Sequence, residues 1–222
     1  MGCDAADINN DGWLDLYIAR ETTPDTAPEL TPRDYLYINQ QNGTFRDDLE
    51  KCMQHTSLAS MGADIADINN DGYPEIYVTD MFPETEARVK TKTQFEDWDK
   101  YQSNIQGGYY RQYVRNVLQL NSGPVNAGGD ISFSEISRLA GVNATDWSWA
   151  PLMADFDNDG WKDVLIADRD VEEEAEAEEV TSDALVERIS EHIEWNSREI
   201  ADALRRQARL EDTSRWDVID FP

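Results

Sequence analysis

The residues of this chain that could do chemistry are carboxylates and amides, and they recur in one pattern. The stretches Asp7-Ile8-Asn9-Asn10-Asp11-Gly12-Trp13-Leu14-Asp15, Asp67-Ile68-Asn69-Asn70-Asp71-Gly72-Tyr73-Pro74-Glu75 and Asp155-Phe156-Asp157-Asn158-Asp159-Gly160-Trp161-Lys162-Asp163 place oxygen-bearing side chains at positions one, three, five and nine. Hard cations such as Ca²⁺ take about six to eight oxygen ligands, and alternate residues of a tightly turning loop direct their oxygens to one centre. Glycine at position six permits the turn. Position seven (Trp13, Tyr73, Trp161) would offer its backbone carbonyl, so its side chain is unconstrained. The spacing therefore predicts up to three Ca²⁺ sites. The third, with four carboxylates, should bind most tightly. Mg²⁺ fits less well, because it demands a tight octahedron and keeps its waters. Sequence alone leaves other divalent cations open.

The elements around the loops exclude an EF-hand, which closes with Glu at position twelve and continues as a helix. Position twelve here is Ile18, Val78 and Ile166. The segments after the loops, 14–19, 75–79 and 163–167, are short and rich in β-branched and aromatic residues, so they read as strands. The segments before them, 2–6, 61–66 and 149–154, read as strands of small residues. A second hairpin follows in two units: 35–39 and 44–45 around Asn42-Gly43, and 114–120 with 131–134 across a Gly-rich turn. Two units thus have four strands each, the content of a propeller blade. The loop starts Asp7, Asp67 and Asp155 are 60 and 88 residues apart. The longer gap holds a polar, aromatic-rich insertion near 84–113, helix-like from about Thr93 to Ile105.

The loops and their strands, with Ile76-Tyr-Val-Thr-Asp-Met-Phe-Pro-Glu84, Arg115-Asn-Val-Leu-Gln-Leu-Asn121 and Gly141-Val-Asn-Ala-Thr-Asp-Trp-Ser-Trp-Ala-Pro151, resemble FG-GAP/VCBS repeats, the blades of integrin-α-like β-propellers. The resemblance is strongest to bacterial secreted proteins of the cartilage-acidic-protein-like, ASPIC/UnbV-associated group, and it covers roughly residues 2–169. It implies a mainly β fold, a partial β-propeller of about two and a half blades over 1–169. It also implies structural calcium, an extracellular, periplasmic or cell-surface location, and protein or glycan partners in adhesion. The alternative is a purely structural scaffold module of a larger secreted protein. A closed propeller needs about four to eight blades, so the chain reads as a fragment.

Composition sets further bounds. The formal charge of −27 opposes nucleic acid and anionic membrane as partners and favours divalent cations. Cys3 and Cys52 could pair, although two unpaired thiols are the simpler reading. No apolar run approaches the roughly 20 residues of a membrane span, and no signal peptide precedes Met1-Gly2-Cys3. His55 and His192 lack a nucleophile context, the Cys52/His55 spacing reads as a surface pair, and no glycine-rich phosphate loop is present. Catalysis is not expected. Trp147 and Trp149 on one strand, and Tyr109, Tyr110 and Tyr113 after the insertion, are candidates for a ligand-stacking rim as well as for packing. Residues 170–180 form an acidic linker. Over 181–222, Leu185, Val186, Ile189, Ile193, Ile200 and Leu204 make one helical stripe. That helix would cover the chain's own sheet edge or serve self-association or partner docking, and a frayed tail is the remaining alternative.

Overall fold

The computed structural model describes residues 2–20, 33–92, 98–126 and 129–168. The expected acidic linker and tail helix lie outside these residues. The described part is mainly β, built from several antiparallel sheets with few helices, and no closed barrel is seen in it.

The first unit is a four-stranded antiparallel meander of β1 (Gly2–Ala6), β2 (Asp15–Ala19), β3 (Tyr35–Asn39) and β4 (Phe45–Asp47). Its registers Ala6↔Asp15 and Leu16↔Tyr37 put the first acidic loop at the β1–β2 turn. After β4 come the short helix α1 (Leu49–Cys52) and β5 (Thr56–Ser57). The second unit repeats the plan with β6 (Ala63–Ala66) and β7 (Glu75–Val78); β8 (Met81–Phe82) and the insertion then intervene. The insertion holds α2 (Glu86–Lys92), α3 (Trp98–Gln106) and β9 (Gln112–Tyr113), and the unit resumes with β10 (Val117–Pro124) and β11 (Ile131–Glu135). The sheet order is β11-β10-β7-β6. The short helix α4 (Ser137–Ala140) leads to the third unit, in which β12 (Asp146–Ala154) and β13 (Asp163–Asp168) form a hairpin around the third loop.

Two contacts were not legible as strands in sequence. β8 pairs with the start of β12, Trp147 opposite Met81, so the third sheet takes its edge from the chain leaving the second. β5 and β9 form a parallel pair that joins the end of the first unit to the end of the insertion. β3 has its expected limits, whereas β4, β10 and β11 run beyond theirs, to Asp47, Pro124 and Glu135.

The sheets stack face to face through two apolar clusters. Tyr17, Leu36, Ile38, Leu49, Met53, Ile76, Val78, Val117, Ile131 and Phe133 fill the space between the first and second units. Tyr77, Leu118, Ile136, Val142, Met153, Val164 and Ile166 fill that between the second and third. Alternate residues of β7 thus serve different clusters, Ile76 and Val78 one and Tyr77 the other. A strand buried on both faces reads as a continuous apolar run rather than an alternation.

The innermost strands β1, β6 and β12 lie side by side. Gly62 permits this approach: a Cβ there would sit 2.6 Å from the Trp149 carbonyl oxygen and 2.8 Å from Pro151 Cδ. Two carboxylates stitch the same seam. Asp4 accepts from the backbone N–H of Ile65 at 2.9 Å, and Asp64 accepts from that of Met153.

Candidate metal centres

Each loop folds by the same local hydrogen bonds. In the first, Asp7 accepts from the N–H groups of Asp11 at 2.9 Å and Gly12 at 2.8 Å. Asn9 Oδ1 accepts from Asp11 N–H at 3.1 Å, and Asp11 Oδ1 from Trp13 N–H at 2.9 Å. In the second loop Asp67 accepts from Asp71 and Gly72, Asn69 from Asp71, and Asp71 from Tyr73, at 2.8–3.1 Å. In the third Asp155 accepts from Asp159 and Gly160, Asp157 from Asp159, and Asp159 from Trp161, at 2.9–3.1 Å. The position-four residues Asn10, Asn70 and Asn158 all take left-handed φ of 57–63°, a conformation that short amide side chains tolerate.

The position-nine carboxylate closes each loop from within the following strand. Asp15 accepts from Ile8 N–H at 3.1 Å, Glu75 from Ile68 N–H at 2.9 Å and Asp163 from Phe156 N–H at 3.0 Å. Asp15 and Glu75 are fully buried. Burial pushes the Asp15 carboxyl up and the Glu75 carboxyl up to about 8, assisted there by the charges of Asp71 and Asp67. A buried carboxylate beside two others is costly unless a cation or a proton compensates it. The exposed Asp11 goes the other way. Burial pushes it up, but the hydrogen bonds from Gln41, Asn9 and the Trp13 N–H together outweigh that push, and its pKa is lowered.

The donor set fits a hard cation. Each loop carries carboxylate or amide oxygens at positions one, three, five and nine, and those at one, three and five accept from backbone N–H groups of the same loop. In the third loop the carboxylate oxygens of Asp155, Asp157 and Asp159 lie within 4.8 Å of one another. That is about the span of two ligands on one Ca²⁺ with metal–oxygen distances near 2.4 Å. The first two loops have Asn at position three, so only the third loop brings three carboxylates together in this way.

Several residues that position the loops were not singled out from sequence. Asn39 donates to the Leu14 carbonyl at 3.1 Å, while its own N–H bonds Asp15 at 2.8 Å. Its counterpart Asn121 donates to the Pro74 carbonyl at 3.2 Å and to Ile8 of the first unit at 2.9 Å. The loops are also linked to one another: Asn10 donates to the Gly72 carbonyl and Asn70 to the Gly160 carbonyl. The signal was present as an Asn at position four of every loop.

The aromatic candidates fall in separate places. Tyr110 packs on the first apolar cluster and donates to the Met53 carbonyl at 2.6 Å. Tyr113 stacks on Tyr101 of α3, with ring centroids 5.2 Å apart, and Tyr101 stacks on Trp98. These rings hold the insertion to the fold. Tyr109 is half-buried beside them, and Trp147 and the exposed Trp149 lie on β12.

The expected Cys52/His55 surface pair is corrected. Cys52 is buried in the first cluster and burial pushes its thiol up to about 11, whereas His55 packs edge-on to Tyr113 beside Glu135. A buried, protonated thiol is no nucleophile. Cys3 is exposed, and both cysteines are free thiols. No helix among the described residues is long and apolar enough to cross a membrane.

Comparison with known proteins places part of this arrangement. Residues 7–78 match the family model described as FG-GAP-like repeat. A stretch of 76 residues, 33% of the chain, is 34% identical to integrin alpha-3 of Mus musculus and equally to integrin alpha-3 of Cricetulus griseus. That stretch corresponds to 7% of the length of each relative. The segment that carries the first two acidic loops is therefore similar to an FG-GAP-like repeat, and about a third of the chain is similar to an integrin α chain.

Proposed function

We propose that this chain is a calcium-binding, non-catalytic repeat module of extracellular type, its blades arranged as part of a β-propeller, which serves adhesion by binding a protein or glycan partner. The observation that carries this reading is the threefold recurrence of one loop with the same hydrogen bonds and the same oxygen donors at positions one, three, five, seven and nine. The ligands in this reading are Asp7, Asn9, Asp11, Trp13 carbonyl and Asp15; Asp67, Asn69, Asp71, Tyr73 carbonyl and Glu75; and Asp155, Asp157, Asp159, Trp161 carbonyl and Asp163. The similarity to an integrin α chain supports adhesion and an extracellular setting.

Calcium has a structural role here. It neutralises carboxylates that otherwise repel one another and fixes the turn between the two inner strands of each blade. Because the cation binds the folded loop, it stabilises the fold with the logarithm of its concentration over Kd. Extracellular modules work with Kd of about 10⁻⁴–10⁻³ M.

Thermal unfolding followed by circular dichroism in excess EDTA, then in millimolar Ca²⁺ or Mg²⁺, tests the reading. The expected result is a large upward shift with Ca²⁺, a small one with Mg²⁺, and a reduced Ca²⁺ shift in the Asp155→Ala/Asp159→Ala variant. Equal stability in EDTA and Ca²⁺ would overturn it.

A further inference from the structure

We propose that Gln41 is a positioning residue for the cation of the first loop, holding the Asp11 carboxylate in place from the neighbouring hairpin. This inference rests on the calcium-loop reading above.

Gln41 sits in the turn between β3 and β4 with φ of +59°. The other described non-glycine residues with positive φ are Asn10, Asn70, Asn158 and Asp146. All four have the short polar side chains that favour this region, and Gln41 does not. Its conformation is held by its own N–H, which donates to Asn39 Oδ1 at 2.9 Å. The same turn brings its side chain back over the first loop, where Nε2 donates to Asp11 Oδ2 at 3.2 Å. Asp11 Oδ1 accepts from Trp13 N–H at 2.9 Å and Oδ2 also accepts from Asn9 Nδ2 at 3.1 Å, so the carboxylate is held at both oxygens and Gln41 supplies the one of these bonds that comes from outside the loop. A hydrogen bond from outside the ligand set fixes the orientation of a ligating carboxylate and raises metal affinity.

The second unit fills the equivalent place differently. Gly123 has φ of +65°, and its N–H donates to Asn121 Oδ1 at 2.9 Å, as Gln41 does to Asn39. A Cβ at Gly123 would lie 2.8 Å from the ring of Tyr73. The aromatic ring at position seven therefore occupies the space that Gln41 uses in the first unit. There Trp13 stands 49% exposed and leaves that space open. The first loop is thus coupled to the tip of its own outer hairpin by a side chain, a bond with no counterpart among the described residues of the second unit.

The test uses the full chain and the tryptophan at position seven. In a Trp161→Phe background, indole-sensitised Tb³⁺ luminescence reports the first loop through Trp13, and Ca²⁺ competition gives its affinity. Gln41→Gly suits the positive φ while deleting the amide. The expected result is an affinity at the first loop about tenfold weaker, with a melting temperature in EDTA unchanged or higher. Gln40→Ala serves as the control in the same turn, because the Gln40 side chain bonds the Ile38 carbonyl and Arg46; its affinity should stay within about twofold of the parent. Equal affinity of Gln41→Gly and the parent would overturn the proposal, and so would an equal loss in Gln40→Ala. A parent that neither sensitises Tb³⁺ nor binds Ca²⁺ would overturn the calcium-loop reading, and this inference with it.

Discussion

The side-chain amide of Asn10 lies 2.6 Å from the carbonyl oxygen of Gly72. This hydrogen bond joins the fourth residue of one acidic loop to the sixth of the next, and Asn70 makes the same link to Gly160 at 3.0 Å. The first turn is therefore tied to the second and the second to the third, and under the proposed calcium binding, ordering one by a cation should help to order the next. Asn70→Ala should cost about 1 kcal/mol of stability. It should also make Ca²⁺ binding to the second and third loops independent, lowering the apparent Hill coefficient in a calorimetric titration. A titration already non-cooperative in the parent would refute the coupling.

At Glu75 the sign of the effect depends on calcium. Its carboxylate is fully buried and accepts from Ile68 N–H. Glu75→Gln keeps an oxygen acceptor and removes a carboxyl whose ionisation burial opposes, raising it to about 8. In EDTA the variant should melt higher than the parent; in millimolar Ca²⁺ it should melt lower, because the second site has lost a carboxylate. Paired thermal melts in the two conditions check this, and a shift of the same sign in both would count against Glu75 as a ligand.

Asp34 is the buried carboxylate at the seam between the first two units. It accepts from Tyr17 hydroxyl at 2.8 Å, Ser60 hydroxyl at 3.0 Å and Arg20 N–H at 2.8 Å. Burial raises its pKa to about 7 against those hydrogen bonds, and the charge of the buried Asp80 adds to the rise. A raised carboxyl contributes stability that is complete below its unfolded pKa, near 3.8, and is lost as pH rises through about 7. The second seam has Asn116 in the same place, donating to Tyr77 hydroxyl at 3.1 Å and accepting from Asp80 N–H at 2.7 Å. Asp34→Asn should therefore fold and should flatten the fall in melting temperature between about pH 4 and 7. An unchanged pH profile would show that Asp34 does not titrate in that window.

The acid limb has a different origin. Glu135 is held at about 2: burial raises it, but hydrogen bonds from His55 and Ser137 and the charge of Arg115, 2.9 Å away, prevail. A depressed carboxyl contributes stability that is present above its unfolded pKa, near 4.5, and is lost as pH falls through about 2. Glu135→Ala should cost about 3 kcal/mol at neutral pH, because Arg115 is left largely buried without its partner. Denaturant melts at neutral and acid pH should show that difference shrinking on acidification.

Gly62→Ala tests the packing of the inner strands. The added methyl would meet the Trp149 carbonyl at 2.6 Å in a seam formed by backbone. A loss of about 2 kcal/mol is expected, without change in the calcium affinity of the first loop. Equal stability of the variant and the parent would mean that β6 and β12 are not held this close in solution.

Much of this was legible in the sequence, for a physical reason. The acidic loops are local objects. Their fold depends on carboxylates two to seven residues from the N–H groups that donate to them, and on a glycine free to turn, so spacing alone displays them. The inner strands of small residues, the hairpin at Asn42-Gly43 and the β10–β11 pair were readable on the same grounds. The fate of Cys52, buried in a core rather than exposed with His55, was not, because burial is set by strands far away in the chain.

What only the tertiary structure decided is the traffic between units. The reach of Asn10 to Gly72 spans 62 residues and that of Asn121 to Ile8 spans 113, and no periodicity encodes either. β8 joins the third sheet, the faces of β7 divide between two clusters, and Gln41 turns back onto Asp11 only because sheets stacked at close range bring these groups together. By itself the sequence determined three acidic turns of one pattern, each with oxygen-bearing side chains at positions one, three, five and nine. The stacking determined which side chains stand behind those turns, and through them how the loops are braced against one another.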